Sequence, residues 1–199
     1  MSGLCDIALE AIATALPDGE RRMPTLDGLH PALLEPAATF VTLERDDRLL
    51  GCVGSLHARR PVAIDVAEHA LAAAFDDPRV RVVTQADFPE MSVKVSVLSS
   101  STHVPACSYE ELRACLRPGI DGLTVETNLF RSRATLLPSV WAKVRGRDEF
   151  LDALWHKARL RARAWPKDIR VFRYTTVEEC DPGPRPAPGR PARRERWRP

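Results

Sequence analysis

Residues 62 to 75, VAIDVAEHALAAAF, limit the fold more than any other stretch. Ala63, Val66, Ala67, Ala70, Leu71 and Ala74 recur at helical spacing and form one stripe of mostly small side chains. So thin a stripe lets a helix lie close against a sheet, and the rest of the chain supplies strands to build one. TFVTLER (39–45) and RLLGCVGS (48–55) read as a hairpin turned at Asp46-Asp47. MSVKVSVL (91–98) alternates, with Val93, Val95 and Val97 inward and Ser92, Lys94 and Ser96 outward. GLTVET (122–127) and SRATLL (132–137) read as a second hairpin around Asn128, and IRVFRY (169–174) as a last strand. Further helices are expected over 4–16, ended by Pro17-Asp18-Gly19, and from Ser108 to Leu116, where Ser108 and Glu111 form a capping box. Another carries Phe150, Leu151, Leu154, Trp155 and Ala158, with Asp148 as its cap. Helices interspersed with hairpins give an α+β fold with mostly antiparallel pairing.

Charge is uneven. The net charge of +2 includes six Arg against Asp181 and Glu195 in residues 181–199, so residues 1–180 carry −2. A mildly acidic folded part argues against a dedicated nucleic-acid domain. The tail, DPGPRPAPGRPARRERWRP, holds too much Pro and Arg to pack a core and is expected to be disordered, with solubilisation as its default role and RNA contact as the alternative. The five cysteines (Cys5, Cys52, Cys107, Cys115 and Cys180) are odd in number, and the N-terminal stretch lacks a basic leader. Reduced thiols in a cytoplasm fit this pattern, with no membrane span.

The stretches FVTLERDDRLLGCVGSL (40–56), AAAFDDPRV (72–80), VSVLS (95–99), GIDGLTV (119–125), RATLLPSVW (133–141), EFLDALWHKARL (149–160) and IRVFRY (169–174) resemble, in order and spacing, the motifs of the AMMECR domain family. The resemblance implies an AMMECR-type domain over residues 1–180, followed by the tail 181–199. It implies a larger and a smaller lobe around a cleft near the cysteine motif, and an association with Memo-type and radical-SAM proteins as partners. It supplies no reaction. Leu50 replaces the family's usual Arg, Val80 its Phe, and Trp155 and Arg159 its Cys and Gly.

Cys52 is the candidate catalytic residue. A reactive thiolate needs a nearby cation, a histidine or a helix N-terminus. Strand alternation puts Leu50 on the same face as Cys52, and an aliphatic neighbour disfavours the thiolate. His57 lies five residues on, with nothing in the sequence to fix it. The competing reading is a small buried residue facing the alanine-rich helix. Gly51 and Gly54 permit close approach of either a helix or a ligand. With Ser55, Arg79 and Lys157 they make up the candidate ligand-binding set. Arg79 either replaces the missing motif arginine as an anion contact or pairs with an acid at the Asp76-Asp77-Pro78 turn. Asp65 and His69, four apart, read as a solvated helix face. His103 and Cys107 are a weak metal pair, and no metal or cofactor motif is present. The functional readings left open are an accessory or binding protein and an enzyme using Cys52 for acyl or group transfer.

Overall fold

A computed structural model describes residues 3–128 and 132–188. The chain divides into two compact units, one of residues up to Val97 plus those from Glu178 onward, the other of Leu98–Val177. The fold is α+β, each unit built on a four-stranded sheet.

In the first unit, helix α1 (Leu4–Ala15) precedes the hairpin of β1 (Ala38–Arg45) and β2 (Arg48–Gly54). Asp46 and Asp47 both take left-handed conformations, φ 51° and 58°, as a two-residue hairpin turn requires. Helix α2 (Val62–Phe75) and strand β3 (Ser92–Leu98) follow, and β8 (Thr176–Asp181) completes the sheet in the order β2-β1-β3-β8. The alanine stripe behaves as its composition demands. Ala63, Val66, Ala67 and Ala70 are fully buried and share a core with Ile12, Val41, Leu43, Met91 and Val95. Ser96, expected outside, is buried because its hydroxyl donates to Glu178 of β8 at 2.9 Å.

In the second unit the sheet runs β4-β7-β5-β6, with β4 (Thr102–His103), β5 (Gly122–Thr127), β6 (Ser132–Leu136) and β7 (Arg170–Tyr174). β5 pairs antiparallel with both β6 and β7, so the expected second hairpin is present, although 129–131 at its turn lie outside the described residues. Helix α3 (Tyr109–Cys115) starts at Ser108, whose hydroxyl accepts from the Glu111 N–H at 3.2 Å. Helix α4 (Arg147–Lys157) buries Phe150, Leu151, Leu154 and Trp155. Asp148 does not cap it. The helix begins two residues earlier, with Gly146 in the cap position, and Asp148 instead receives the Arg113 guanidinium fork, both bonds at 2.7 Å. The departure at Arg159 falls on a residue with φ 55°, where the chain leaves α4.

The first residues of the expected tail have defined places. Asp181 ends β8, and Arg185 is anchored to the first unit. Its guanidinium donates to the carbonyls of Phe88 and Met91, pairs with Asp181 at 2.6 Å and lies over the Phe88 ring. Residues 189–199, the remainder of the expected disordered segment, lie outside the described residues. Among the described residues no helix is long and apolar enough to cross a membrane.

Candidate functional site

The geometry around Cys52 is decided by a bulge. Arg45 pairs with Arg48 and Glu44 with Leu49, but Leu43 then pairs with Gly51, leaving Leu50 extra in β2. An extra residue moves every following side chain to the opposite face of the sheet. Gly51 therefore faces α2, so closely that a Cβ there would lie 1.9 Å from the Ala73 carbonyl oxygen. Leu50 joins the same core. Cys52 points away from that core, opposite Thr42, and is half-buried. This corrects two expectations: Cys52 is not a buried thiol facing the alanine-rich helix, and Leu50 does not share its face. The Thr42 hydroxyl donates to the Cys52 sulfur at 3.3 Å.

β2 is an edge strand, and at Cys52 its edge is covered by the turn after α2. The Cys52 N–H donates to Asp77 Oδ2 at 2.9 Å, and its carbonyl accepts from Arg79 Nη2 at 2.8 Å. Arg79 also forks onto Asp77 through Nε at 2.9 Å and Nη2 at 2.7 Å, and its N–H donates to Oδ1 at 3.1 Å. The Asp77-Pro78-Arg79 turn thus does what a neighbouring strand would do, with a carboxylate in place of a carbonyl and a guanidinium in place of an N–H. The Asp77 side chain is 2% exposed and that of Arg79 60%. The guanidinium holds the Asp77 carboxyl well below the usual range, outweighing burial with the help of the Cys52 and Arg79 N–H groups. The same pairing with Asp77 raises Arg79, with smaller contributions from the Cys52 side chain. Sequence left Arg79 between an anion contact and an acid pair. The pair is what forms, and it includes the Cys52 peptide.

Gly54 lies beneath Phe40, where a Cβ would stand 2.3 Å from the ring, so packing alone accounts for glycine there. The Ser55 N–H donates to the Thr39 carbonyl, and its hydroxyl donates to the carbonyl of His57. Gly51, Cys52, Gly54, Ser55 and Arg79 therefore fall on one strand and the turn beside it. Lys157 belongs to the second unit, where its ammonium donates to the Thr135 carbonyl at 2.9 Å. Asp76 is engaged separately by Arg21, at 2.6 and 2.7 Å.

Asp65 and His69 overturn the expectation of a solvated helix face: Asp65 is fully buried and His69 is 8% exposed. Asp65 Oδ2 accepts from the Thr39 N–H at 3.0 Å and the Thr39 hydroxyl at 2.7 Å, and lies 3.3 Å from His69 Nδ1. Its Oδ1 faces Arg60 Nε at 3.1 Å, an ion pair without hydrogen-bond alignment. Burial pushes the Asp65 carboxyl up, but bonds from His69 and Thr39 and the Arg60 charge together lower it. The i, i+4 pair turns inward because β1 offers it a hydroxyl and an N–H; nothing in the helix alone signals that. His103 stacks edge-on against Phe172, and Cys107 is exposed. Among the described residues no group of three or more His, Cys, Asp or Glu is placed to hold a metal ion.

The AMMECR1 family model matches residues 5–178. A protein of Thermococcus onnurineus is 31% identical over 195 residues, covering 91% of each chain. One of Thermofilum pendens is 35% identical over 157 residues, 72% of each. A Methanothermobacter thermautotrophicus protein is 32% identical over 122 residues, and the chain spans 62% of that protein's length. For the Saccharolobus islandicus relatives the span is 66%. The crystal structure of the uncharacterized protein PH0010 from Pyrococcus horikoshii superposes with a TM-score of 0.82 at 30% identity, covering 91% of both chains.

Proposed function

This chain belongs to the AMMECR1 family, and on that premise we propose that it is a cytoplasmic accessory or binding protein. The half-exposed face around Cys52 holds a small ligand or a partner segment, and the chemistry belongs to Memo-like or radical-SAM partners. The observation that carries this reading is the use made of Arg79. Its charge is matched chiefly by the buried Asp77 carboxylate, with a smaller interaction with the Cys52 side chain, and its fork is occupied by Asp77 and the Cys52 carbonyl, while the Thr42 hydroxyl donates to the sulfur. A cation so balanced orients the strand edge rather than activating a thiolate. Its 60% exposure leaves it open to an anionic group on a ligand. Five free cysteines support a reducing compartment. Isolation of the protein from its own cells, with Cys52→Ser as comparison, tests the proposal. Recovery of a bound ligand or of a partner protein supports it, and a strictly solitary, ligand-free protein argues against it.

A second reading, a cysteine-dependent acyl or group transferase, draws on one observation: Cys52 is half-buried beside Thr42 instead of sealed in the core. Under that reading Cys52→Ser abolishes a turnover that partner-free protein carries out alone.

A further inference from the structure

The mean charge of the folded part conceals a division. Residues 1–97 carry nine Lys and Arg against fifteen Asp and Glu, whereas residues 98–177, the second unit, carry fourteen against eight. Part of that excess is concentrated in the loop that follows α4, ARLRAR (158–163). The Leu160 N–H donates to the Trp155 carbonyl, the Trp155 indole donates to the Ala164 carbonyl at 2.7 Å, and Arg163 approaches Asp148 at 3.9 Å. The loop therefore runs back alongside α4 from its last turn to its first. Arg159, Arg161 and Arg163 are all exposed along it. Asp148 is already forked by Arg113 at 2.7 Å, so Arg163 is a surplus cation there; its guanidinium lies 5.8 Å over the Tyr109 ring and stays 60% exposed. Among the described residues neither Arg159 nor Arg161 has a carboxylate within ion-pair distance.

Two of these arginines sit where arginine is unfavourable. Arg159 and Arg163 both have φ 55°. Glycine adopts that conformation freely, and a Cβ is penalised there. Arg159 closes α4 with its N–H on the His156 carbonyl at 2.9 Å, the position in a helix end where glycine is usual. The Tyr109 ring and Asp148 give the Arg163 side chain a local role, whereas the exposed side chain kept at the strained Arg159 position points to a use for that side chain itself.

We propose that Arg159, Arg161 and Arg163 form a strip that binds the phosphodiester backbone of a single-stranded nucleic acid. The guanidinium fork matches phosphate oxygens in pairs. Alternate residues place neighbouring Cα atoms within about 7 Å of one another along the chain, within reach of successive phosphates for side chains as long as arginine. The strip lies on an irregular loop, not on a helix or ribbon shaped to enter a duplex groove. Leu160, the large apolar residue within it, packs against the second core instead of reaching outward, which disfavours a lipid surface.

The test is fluorescence anisotropy of the full chain with labelled oligothymidylate and oligouridylate of about 20 nucleotides, titrated from about 50 to 200 mM salt. The contribution of residues 189–199 is common to every variant. The double variant Arg159→Gly, Arg161→Ala is expected to flatten the slope of log K against log salt by about 1.4 and to weaken binding on the order of 20-fold near 0.1 M salt. Arg159→Gly alone is expected to keep or raise the thermal midpoint, which separates loss of binding from loss of fold. Arg48→Ala, an exposed arginine of the first unit, should leave affinity and slope unchanged. An unchanged slope in the double variant, an equal loss in Arg48→Ala, a lowered midpoint in Arg159→Gly, or strip-dependent binding confined to phosphatidylserine vesicles or polyglutamate would each overturn the proposal.

Discussion

Removing Asp77 should cost the protein far more than removing Arg79, although the two form one ion pair. Asp77 accepts four hydrogen bonds, from the Cys52 N–H and from the Arg79 N–H, Nε and Nη2, and its side chain is 2% exposed. Asp77→Ala leaves the N–H groups of Cys52 and Arg79 without this acceptor at a part-buried edge and removes both bonds of the Arg79 fork, a loss of about 3 kcal/mol. Arg79→Ala removes a cation that is 60% exposed and solvent-screened, and Asp77 keeps both backbone donors. That loss is about 1 kcal/mol. For a chain of this size each kcal/mol moves the thermal midpoint by roughly 2–4 °C, so the expected drops are about 6–12 °C and about 2–4 °C. Thermal scans by circular dichroism at neutral pH measure both. Because the folded Asp77 carboxyl is depressed, its contribution is present above the unfolded value near 4 and is lost as pH falls toward the folded one. Asp77→Ala should therefore also flatten the acid limb of the stability curve. Equal losses in the two variants, or a larger one in Arg79→Ala, would refute the reasoning.

Gly51→Ala should be among the most damaging single-methyl changes in the first unit, about 3 kcal/mol, because the added carbon meets the Ala73 carbonyl at 1.9 Å; Gly54→Ala should cost somewhat less, since its backbone obstacle, the Thr39 carbonyl, stands at 2.4 Å and the other is the Phe40 ring. Urea titrations of both variants check the order. Asp65→Ala removes the buried acceptor of the Thr39 N–H and hydroxyl and the carboxylate facing His69 and Arg60, leaving Thr39 with His69 and Arg60 with Glu68, and should cost about 3 kcal/mol, with Asp65→Asn recovering part of it in the same assay. Burial and the nearby Glu179 push the Cys5 thiol up to about 12 from 9.0. The folded state then resists an ionisation that the unfolded chain undergoes, so stability falls as pH rises from 9 toward 12. Denaturation midpoints of wild type and Cys5→Ala across that range should converge as pH rises.

The element order was legible because it rests on local patterns: the small-residue stripe, the Asp-Asp turn, the valine alternation and the Ser108 cap. The site was less so. A two-residue turn at Asp46-Asp47 with regular pairing sets Cys52 opposite Val41, on the core face. One extra residue at Leu50 sets it opposite Thr42, on the other face. No local propensity marks that bulge; close packing of Gly51 on Ala73 accompanies it. Asp65 and His69 misled for a related reason. Spacing places them off the centre of the apolar stripe, but their partner is Thr39, 26 and 30 residues away. Arg185 shows the converse: a residue in a Pro-rich segment is fixed because three carbonyl and carboxylate acceptors and a phenyl face converge on it.

The proposed function requires that Arg79, balanced by Asp77, leave the Cys52 sulfur unactivated. Iodoacetamide labelling of the folded protein at mildly acidic pH, resolved by peptide mass spectrometry, measures this directly. Cys52 is expected to react no faster than the exposed Cys107, and Arg79→Ala to leave its rate within about twofold. A Cys52 that reacts tenfold or more faster than Cys107, roughly the margin of a thiolate-rich site, and loses that advantage in Arg79→Ala would contradict it.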